Sequence, residues 1–165
     1  MTDKFQHFFL PTVRTSWVAP LFGQTKLNYD ASIFYAVNSA GFGFGYVLRD
    51  HFENWIKGCA GSIPMWSVCR SEIFVIWRGL VLTWECDLKS IVCENDSRYV
   101  FLAIQQPLSA AHGDSTDLLM KIHYLLNRKW VVHFNLVVRE ANFIADCLSI
   151  LRAPDNNKYL EWLQP

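Results

Sequence analysis

Four acidic residues lie at places in the sequence where an acid is unusual, so they are the first candidates for chemistry. Asp30 ends a strand-like run although aspartate is depleted in strands, and Glu72 begins a helix whose remaining face is apolar. Asp96 follows a buried strand, where functional groups of α/β sheets usually lie, and Asp146 lies on a helix among apolar residues. Taken singly, such an acid is usually a helix cap, a solvated residue or a salt-bridge partner. Carboxylates can also hold a hard cation such as Mg²⁺ if the fold brings them together.

The apolar pattern predicts the elements that must position these acids. Strands are predicted at 26–30, 41–48, 55–60, 89–94 and 130–138, and helices at 71–87, about 97–105, 115–128 and 141–151. Ser71 is the predicted N-cap of the first helix. Short connections join the first three strands, which favours an antiparallel meander, and the later strands enter through helical crossovers. We therefore expect an α/β domain in which helices cover a mixed sheet.

Composition limits the class of protein. The 165 residues fit one domain, and 52% apolar against 18% charged residues exclude disorder. Fifteen basic and fifteen acidic residues cancel, which neither indicates nor excludes a nucleic-acid partner, because phosphate binding needs only a local basic strip. Five cysteines without a Cys-x-x-Cys pair favour reduced thiols. No apolar run reaches the roughly 20 residues of a membrane span. We expect a soluble intracellular protein, without a distinction between nucleus and cytoplasm.

Five sequence motifs resemble those of ribonuclease H type 1 domains. They lie at residues 26–32, 41–50, 71–84, 94–97 and 139–146. The similarity is closest to the reverse-transcriptase-associated branch that is abundant in plant retroelements, and it runs from about residue 17 to residue 151. The motifs follow the order and approximate spacing of the family.

The resemblance implies a ribonuclease H-like α/β fold, with a five-stranded mixed sheet of order 3-2-1-4-5 covered by helices. The strand that carries Asp30 is then central, with the strand ending near Glu94 parallel beside it. We expect a lead-in segment at residues 1–23, the ribonuclease H-like domain at 24–153 and a tail at 154–165.

The resemblance also implies a function and a site. Asp30, Glu72, Asp96 and Asp146 would be both the catalytic residues and the metal ligands. Two Mg²⁺ ions, with Mn²⁺ as an alternative, would support hydrolysis of the RNA strand of an RNA–DNA hybrid by an endonuclease. The expected nucleic-acid-binding residues are Ala31, Ser32, Asn95, Arg139 and Asn142.

Some positions depart from the family pattern. Ala31 stands where a glycine is usual, and its methyl group would obstruct a close approach of the RNA strand. Leu136 stands where a histidine often aids proton transfer, and strand alternation puts His133 on the opposite face. A basic insertion after Gln105 is missing. Ser32, by contrast, argues against the exonuclease relatives, which have an acid at that position.

Two other functions stay open at this point. The chain could be a domesticated or decaying retroelement fragment that binds nucleic acid without useful turnover. It could also be a scaffold that binds a protein partner through the apolar residues 8–10.

Overall fold

Three long strands begin the sheet as a meander. The computed structural model describes residues 9–11, 15–36, 39–111, 113–151 and 159–163. Within them, β2 (Thr25–Ala36), β3 (Ser39–Arg49) and β4 (Trp55–Pro64) pair antiparallel in sequence order. Side chains alternate between the two faces of these strands, and residues 41–49 of β3 are buried on both faces.

Two parallel strands follow, each after a helix. Strand β5 (Ser90–Asn95) pairs parallel with β2, and β6 (Val131–Leu136) pairs parallel with β5. The order β4-β3-β2-β5-β6 is the predicted order 3-2-1-4-5, so the predicted fold class is confirmed. The Asp30 strand β2 lies between β3 and β5, as predicted.

Two further strands lie at the edges of the sheet. Strand β1 (Phe9–Pro11) pairs parallel with β6, and β7 (Tyr159–Leu163) pairs antiparallel with β4. They extend the sheet to seven strands, and the sequence pattern did not predict either one. Of the apolar segment 8–10 proposed as a partner surface, residue 8 lies outside the described residues and the other two belong to β1.

The helices divide between the two faces of the sheet. Helices α1 (Val68–Glu85), α2 (Arg98–Gln105) and α3 (Thr116–Leu126) share the larger core, to which β2 contributes Leu27 and Tyr29. Helix α4 (Phe143–Leu151) packs on the opposite face with a smaller apolar cluster. Alternation along β2 therefore turns Asp30 away from the larger core and toward α4.

The N-cap predicted for the first helix is wrong. Helix α1 begins at Val68, its N-cap is Ser67, and the Ser67 hydroxyl accepts a hydrogen bond from the Arg70 amide at 3.1 Å. Ser71 instead lies fully buried inside the helix. The error arose because residues 68–70 lack the apolar period that marks the rest of the helix. Within the described residues, no helix is long and apolar enough to cross a membrane.

Candidate active site

Four separate elements deliver the four predicted acids to one cleft of about 480 Å³. Asp30 comes from β2, Glu72 from the first turns of α1, Asp96 from the turn after β5, and Asp146 from the first turn of α4. The cleft is also lined by Ala31, Ser32, Ile33, Ser97, Arg139 and Ile150. The middle of β2, the turn after β5 and the first turn of α4 thus bring together acids that are up to 116 positions apart in the sequence.

Asp30 is the most strongly perturbed acid of the cleft. Burial, followed by the charge of Asp96, raises its pKa from 3.8 to about 7. A hydrogen bond from the Ser149 hydroxyl, 3.1 Å from Oδ2, opposes this rise. The Ser32 hydroxyl is 3.4 Å from the same oxygen. A carboxyl so placed binds a proton near neutral pH unless another cation replaces it.

Glu72 lies across the cleft and also resists ionisation. Burial raises its pKa, the charge of Asp96 adds to the rise, and a hydrogen bond from the Ser97 hydroxyl to Oε2 opposes it. Ser97 is also the N-cap of α2, because its hydroxyl accepts from the Val100 amide. One serine therefore joins the start of α2 to the acid on α1.

Asp146 forms an ion pair with Arg139. Its Oδ1 is 2.7 Å from Arg139 Nη2, and this contact raises the pKa of the Arg139 guanidinium. The Arg139 side chain is 68% exposed, whereas that of Asp146 is 15% exposed. The arginine thus lies at the open rim of the cleft with its guanidinium on the acid, where it can also reach an entering anion.

The donor set of this cleft suits a hard divalent cation. Carboxylate oxygens are the ligands that Mg²⁺ prefers, and the raised pKa values of Asp30 and Glu72 are typical of acids that lack a counter-charge. Within the described ranges, however, no three metal-ligating side chains are close enough to form a ready-made site. Glu72 is hydrogen-bonded to Ser97, and Asp146 is ion-paired with Arg139.

Two buried amides hold the backbone beside Asp30. The Tyr29 carbonyl accepts from Asn95 Nδ2 at 2.8 Å and from Asn142 Nδ2 at 2.9 Å. Asn95 directly precedes Asp96, and its Oδ1 accepts from the Ser97 amide at 2.7 Å. Both asparagines were predicted to bind nucleic acid, and both are at least 95% buried. Their hydrogen bonds connect the three sequence motifs that carry Asp30, Asp96 and Asp146.

A buried polar network continues beneath these amides. Asn28 Nδ2 is 3.3 Å from both Glu94 Oε2 and Asn142 Oδ1, and Glu94 pairs with Lys26 at 2.7 Å. Arg49 Nη2 donates to Asn28 Oδ1 at 3.0 Å. The network ties β2 to its two neighbours and to the turn before α4, so it fixes the strand that carries Asp30.

Trp17 covers this network from the segment before β2. Its indole Nε1 donates to Asn28 Oδ1 at 2.8 Å, and its ring lies 3.6 Å from the Arg49 guanidinium carbon. Burial lowers the pKa of Arg49 to about 10, and the charge of Glu94 opposes that effect. The tryptophan shields these buried charges from water at the face that α4 leaves open.

Sequence reasoning named the four lining acids and Ser32, but not the two other serines that contact these acids. Ala31 and Ser32 line the cleft with the acids, whereas Leu136, which pairs with Asn95, is not among its lining residues. Ser97 and Ser149 were not singled out. Ser149 follows Asp146 by three positions, so helical spacing alone places both on one face of α4 and gave a signal for it.

Comparison with known proteins decides the family. A family model described as "Reverse transcriptase-like" matches residues 28–150. The chain belongs to this family. It is 31% identical over 133 residues to the Arabidopsis thaliana protein named "Putative ribonuclease H protein At1g65750". The matched region covers 81% of this chain and 21% of the relative. The chain thus spans about a fifth of the length of that curated relative.

Solved structures of low sequence identity share the fold of this family member. RNase H1 from the halophilic archaeon Halobacterium salinarum NRC-1 is 18% identical, with a TM-score of 0.63 over 80% of this chain and 98% of that one. LC11-RNase H1 in complex with an RNA/DNA hybrid is also 18% identical, with a TM-score of 0.59 over 79% of this chain and 96% of that one. The fold is therefore that of an RNase H-like domain.

Proposed function

We propose that this chain hydrolyses the RNA strand of RNA–DNA hybrids as an Mg²⁺-dependent endonuclease of plant retroelement origin. The observation that carries the proposal is the cleft to which four elements each deliver one acid. The named relative in Arabidopsis thaliana and the hybrid bound to LC11-RNase H1 support the same substrate class.

Asp30, Glu72, Asp96 and Asp146 would hold the divalent cations, and Mn²⁺ could replace Mg²⁺ at such oxygen ligands. When bound, two such ions supply an activated water and neutralise charge on the phosphate and on the leaving oxygen. The cleft that these acids line has a volume of about 480 Å³, which leaves room for a phosphate.

Other residues of the chain would position the nucleic acid. Arg139 lies at the open rim, where its guanidinium can donate hydrogen bonds to a phosphate instead of to Asp146. Ala31 and Ser32 line the cleft beside Asp30 and can contact the strand that enters it. Asn95 and Asn142 would contribute to substrate binding through the backbone that they hold, since their amides donate to the Tyr29 carbonyl.

The test is cleavage of an end-labelled RNA paired with DNA, with the same RNA single-stranded as the substrate control. We expect cutting of the hybrid that requires Mg²⁺, is abolished by EDTA and is lost in Asp96→Asn. Asp87→Asn, on an exposed turn away from the cleft, is the matched control and should cut normally. Absence of metal-dependent cutting at high enzyme concentration would reject the enzymatic function.

A second candidate is a nucleic-acid-binding remnant with little or no turnover. Leu136 in place of a proton-transfer residue and the occupied carboxylate of Asp146 favour it. Leu136→His should raise the hybrid cleavage rate, because loss of such a residue costs about 10²–10⁴-fold. Ala31→Gly should tighten hybrid binding. If the chain binds the hybrid but neither substitution produces cleavage, the nucleic-acid-binding remnant is favoured.

A further inference from the structure

A serine on α4 contacts the most perturbed acid of the cleft. Ser149 is fully buried, and its Oγ lies 3.1 Å from Asp30 Oδ2 and 2.6 Å from Ser32 Oγ. The same Oγ is 2.7 Å from the carbonyl oxygen of Asp146, one helical turn earlier. This hydroxyl therefore links Asp30 on β2 to α4, the helix that also carries Asp146.

A glycine on the neighbouring strand allows this contact. Gly45 pairs with Asp30 across β2 and β3. A Cβ at Gly45 would lie 2.4 Å from Leu148 Cβ and 2.7 Å from the Ser149 backbone nitrogen. Any larger residue would have to push α4 off the sheet. Helix α4 packs directly against the backbone of Gly45. Because the helix is this close to the sheet, a side chain as short as serine can reach Asp30.

We propose that Ser149 is a positioning residue that orients the Asp30 carboxylate toward a divalent cation in the cleft. The inference rests on the proposed function, and it deepens the account of the same site. Ser149 has one hydroxyl proton and two acceptors within reach, the Asp146 carbonyl at 2.7 Å and Asp30 Oδ2 at 3.1 Å. When Ser149 donates to Asp30, the neighbouring Ser32 hydroxyl can donate to Ser149. A buried neutral hydroxyl is a poor metal ligand, but a fixed hydrogen bond to a ligand commonly changes metal affinity by about 10–100-fold.

Calorimetric titration with MnCl₂ tests the proposal without any need for turnover. We expect Ser149→Ala to bind Mn²⁺ at least about 10-fold more weakly than the parent chain. Thr83→Ala removes another fully buried hydroxyl, one that bonds to the Gly79 carbonyl in α1, and should leave Mn²⁺ affinity unchanged. Circular dichroism should show that both variants keep the parent fold.

The kinetic counterpart separates positioning from general structural support. In Ser149→Ala the Mg²⁺ concentration for half-maximal cleavage should rise, whereas KM for the hybrid at saturating Mg²⁺ should stay the same. Equal Mn²⁺ affinity in Ser149→Ala and the parent would overturn the role of Ser149 alone. Failure of the parent chain to bind either ion would overturn both this role and the proposed function.

Discussion

At the scale of single residues, the main electrostatic feature of the cleft is the free-energy cost of ionising Asp30. Burial raises its pKa to about 7, whereas the unfolded chain ionises it near 3.8. Its contribution to stability is therefore fully present below about pH 4 and is lost as the pH rises through 7. In EDTA at pH 8, Asp30→Asn should stabilise the protein, by up to about 4 kcal/mol from the size of the pKa shift.

Urea unfolding of both proteins from pH 3 to pH 8 measures this effect. The stability difference should shrink as the pH falls below 7 and be nearly gone at about pH 3, below the unfolded pKa of 3.8, where the carboxyl is mostly protonated in both states. Asp87→Asn, on an exposed turn, is the control variant. A stability gain for Asp30→Asn that does not vary with pH would contradict the burial argument.

Under the proposed function, Arg139 and a bound cation would compete for the Asp146 carboxylate. In Arg139→Gln the Asp146 carboxylate is released, so the Mg²⁺ concentration for half-maximal cleavage should fall. The change should stay within about 5-fold, because an exposed ion pair contributes only about 0–1 kcal/mol. KM for the hybrid should rise as a phosphate contact is lost. Lys129→Gln is the matched control, and an unchanged Mg²⁺ requirement in Arg139→Gln would refute the competition.

At the scale of elements, the central pair of parallel strands depends on a buried ion pair. Lys26 on β2 and Glu94 on β5 are 2.7 Å apart, and their side chains are 3% and 4% exposed. Lys26→Met should destabilise the protein by about 3–5 kcal/mol, because Glu94 is then buried without its cation. The double variant Lys26→Met with Glu94→Leu should recover much of this loss in urea unfolding. A double variant less stable than Lys26→Met would show that the hydrogen bonds of Glu94 matter more than the charge pair.

The sequence predicted the type and order of the central elements but not all of their boundaries. Alternation and helical period are local, so the strands around Asp30 and the helix after Glu72 could be recognised. Strand β2 continues to Ala36 because Ala36 pairs with Ser39 of β3, and a pairing partner is not visible in a local pattern. The N-cap Ser67 was missed for the same reason, since the residues after it carry no period.

The site was predicted unevenly, for a related reason. Acids in unusual places stand out by residue type, so all four lining acids could be named from the sequence. Serine is common and unremarkable, and the role of Ser149 depends on how closely α4 packs on Gly45. Asn95 and Asn142 were assigned to the substrate, but their amides bond to the Tyr29 carbonyl, a contact that exists only after the strands have assembled.

At the scale of the whole molecule, buried hydrogen bonds connect the amides and the polar network to the backbone beside Asp30. The Asn28 amide joins the ion pair of Glu94 to Asn142, and Asn142 joins this pair to the backbone beside Asp30. The total charge of the chain is zero, so under the proposed function hybrid affinity would depend on local groups such as Arg139. These buried bonds fix the backbone beside Asp30, while Arg139 stays exposed at the rim of the cleft.

The two edge strands have a consequence for the behaviour of the protein in concentrated solution. The family match at residues 28–150 contains neither β1 nor β7, which cover the outer edges of β6 and β4. An uncovered edge strand is a template for pairing with another chain, and it promotes aggregation. A chain truncated to residues 15–151 should therefore self-associate with rising concentration in light scattering. A truncation that removes only residues 1–11 should aggregate less, because the five-residue β7 still covers β4. If the doubly truncated chain stays monomeric, the edges need no such protection, and the terminal strands serve another purpose.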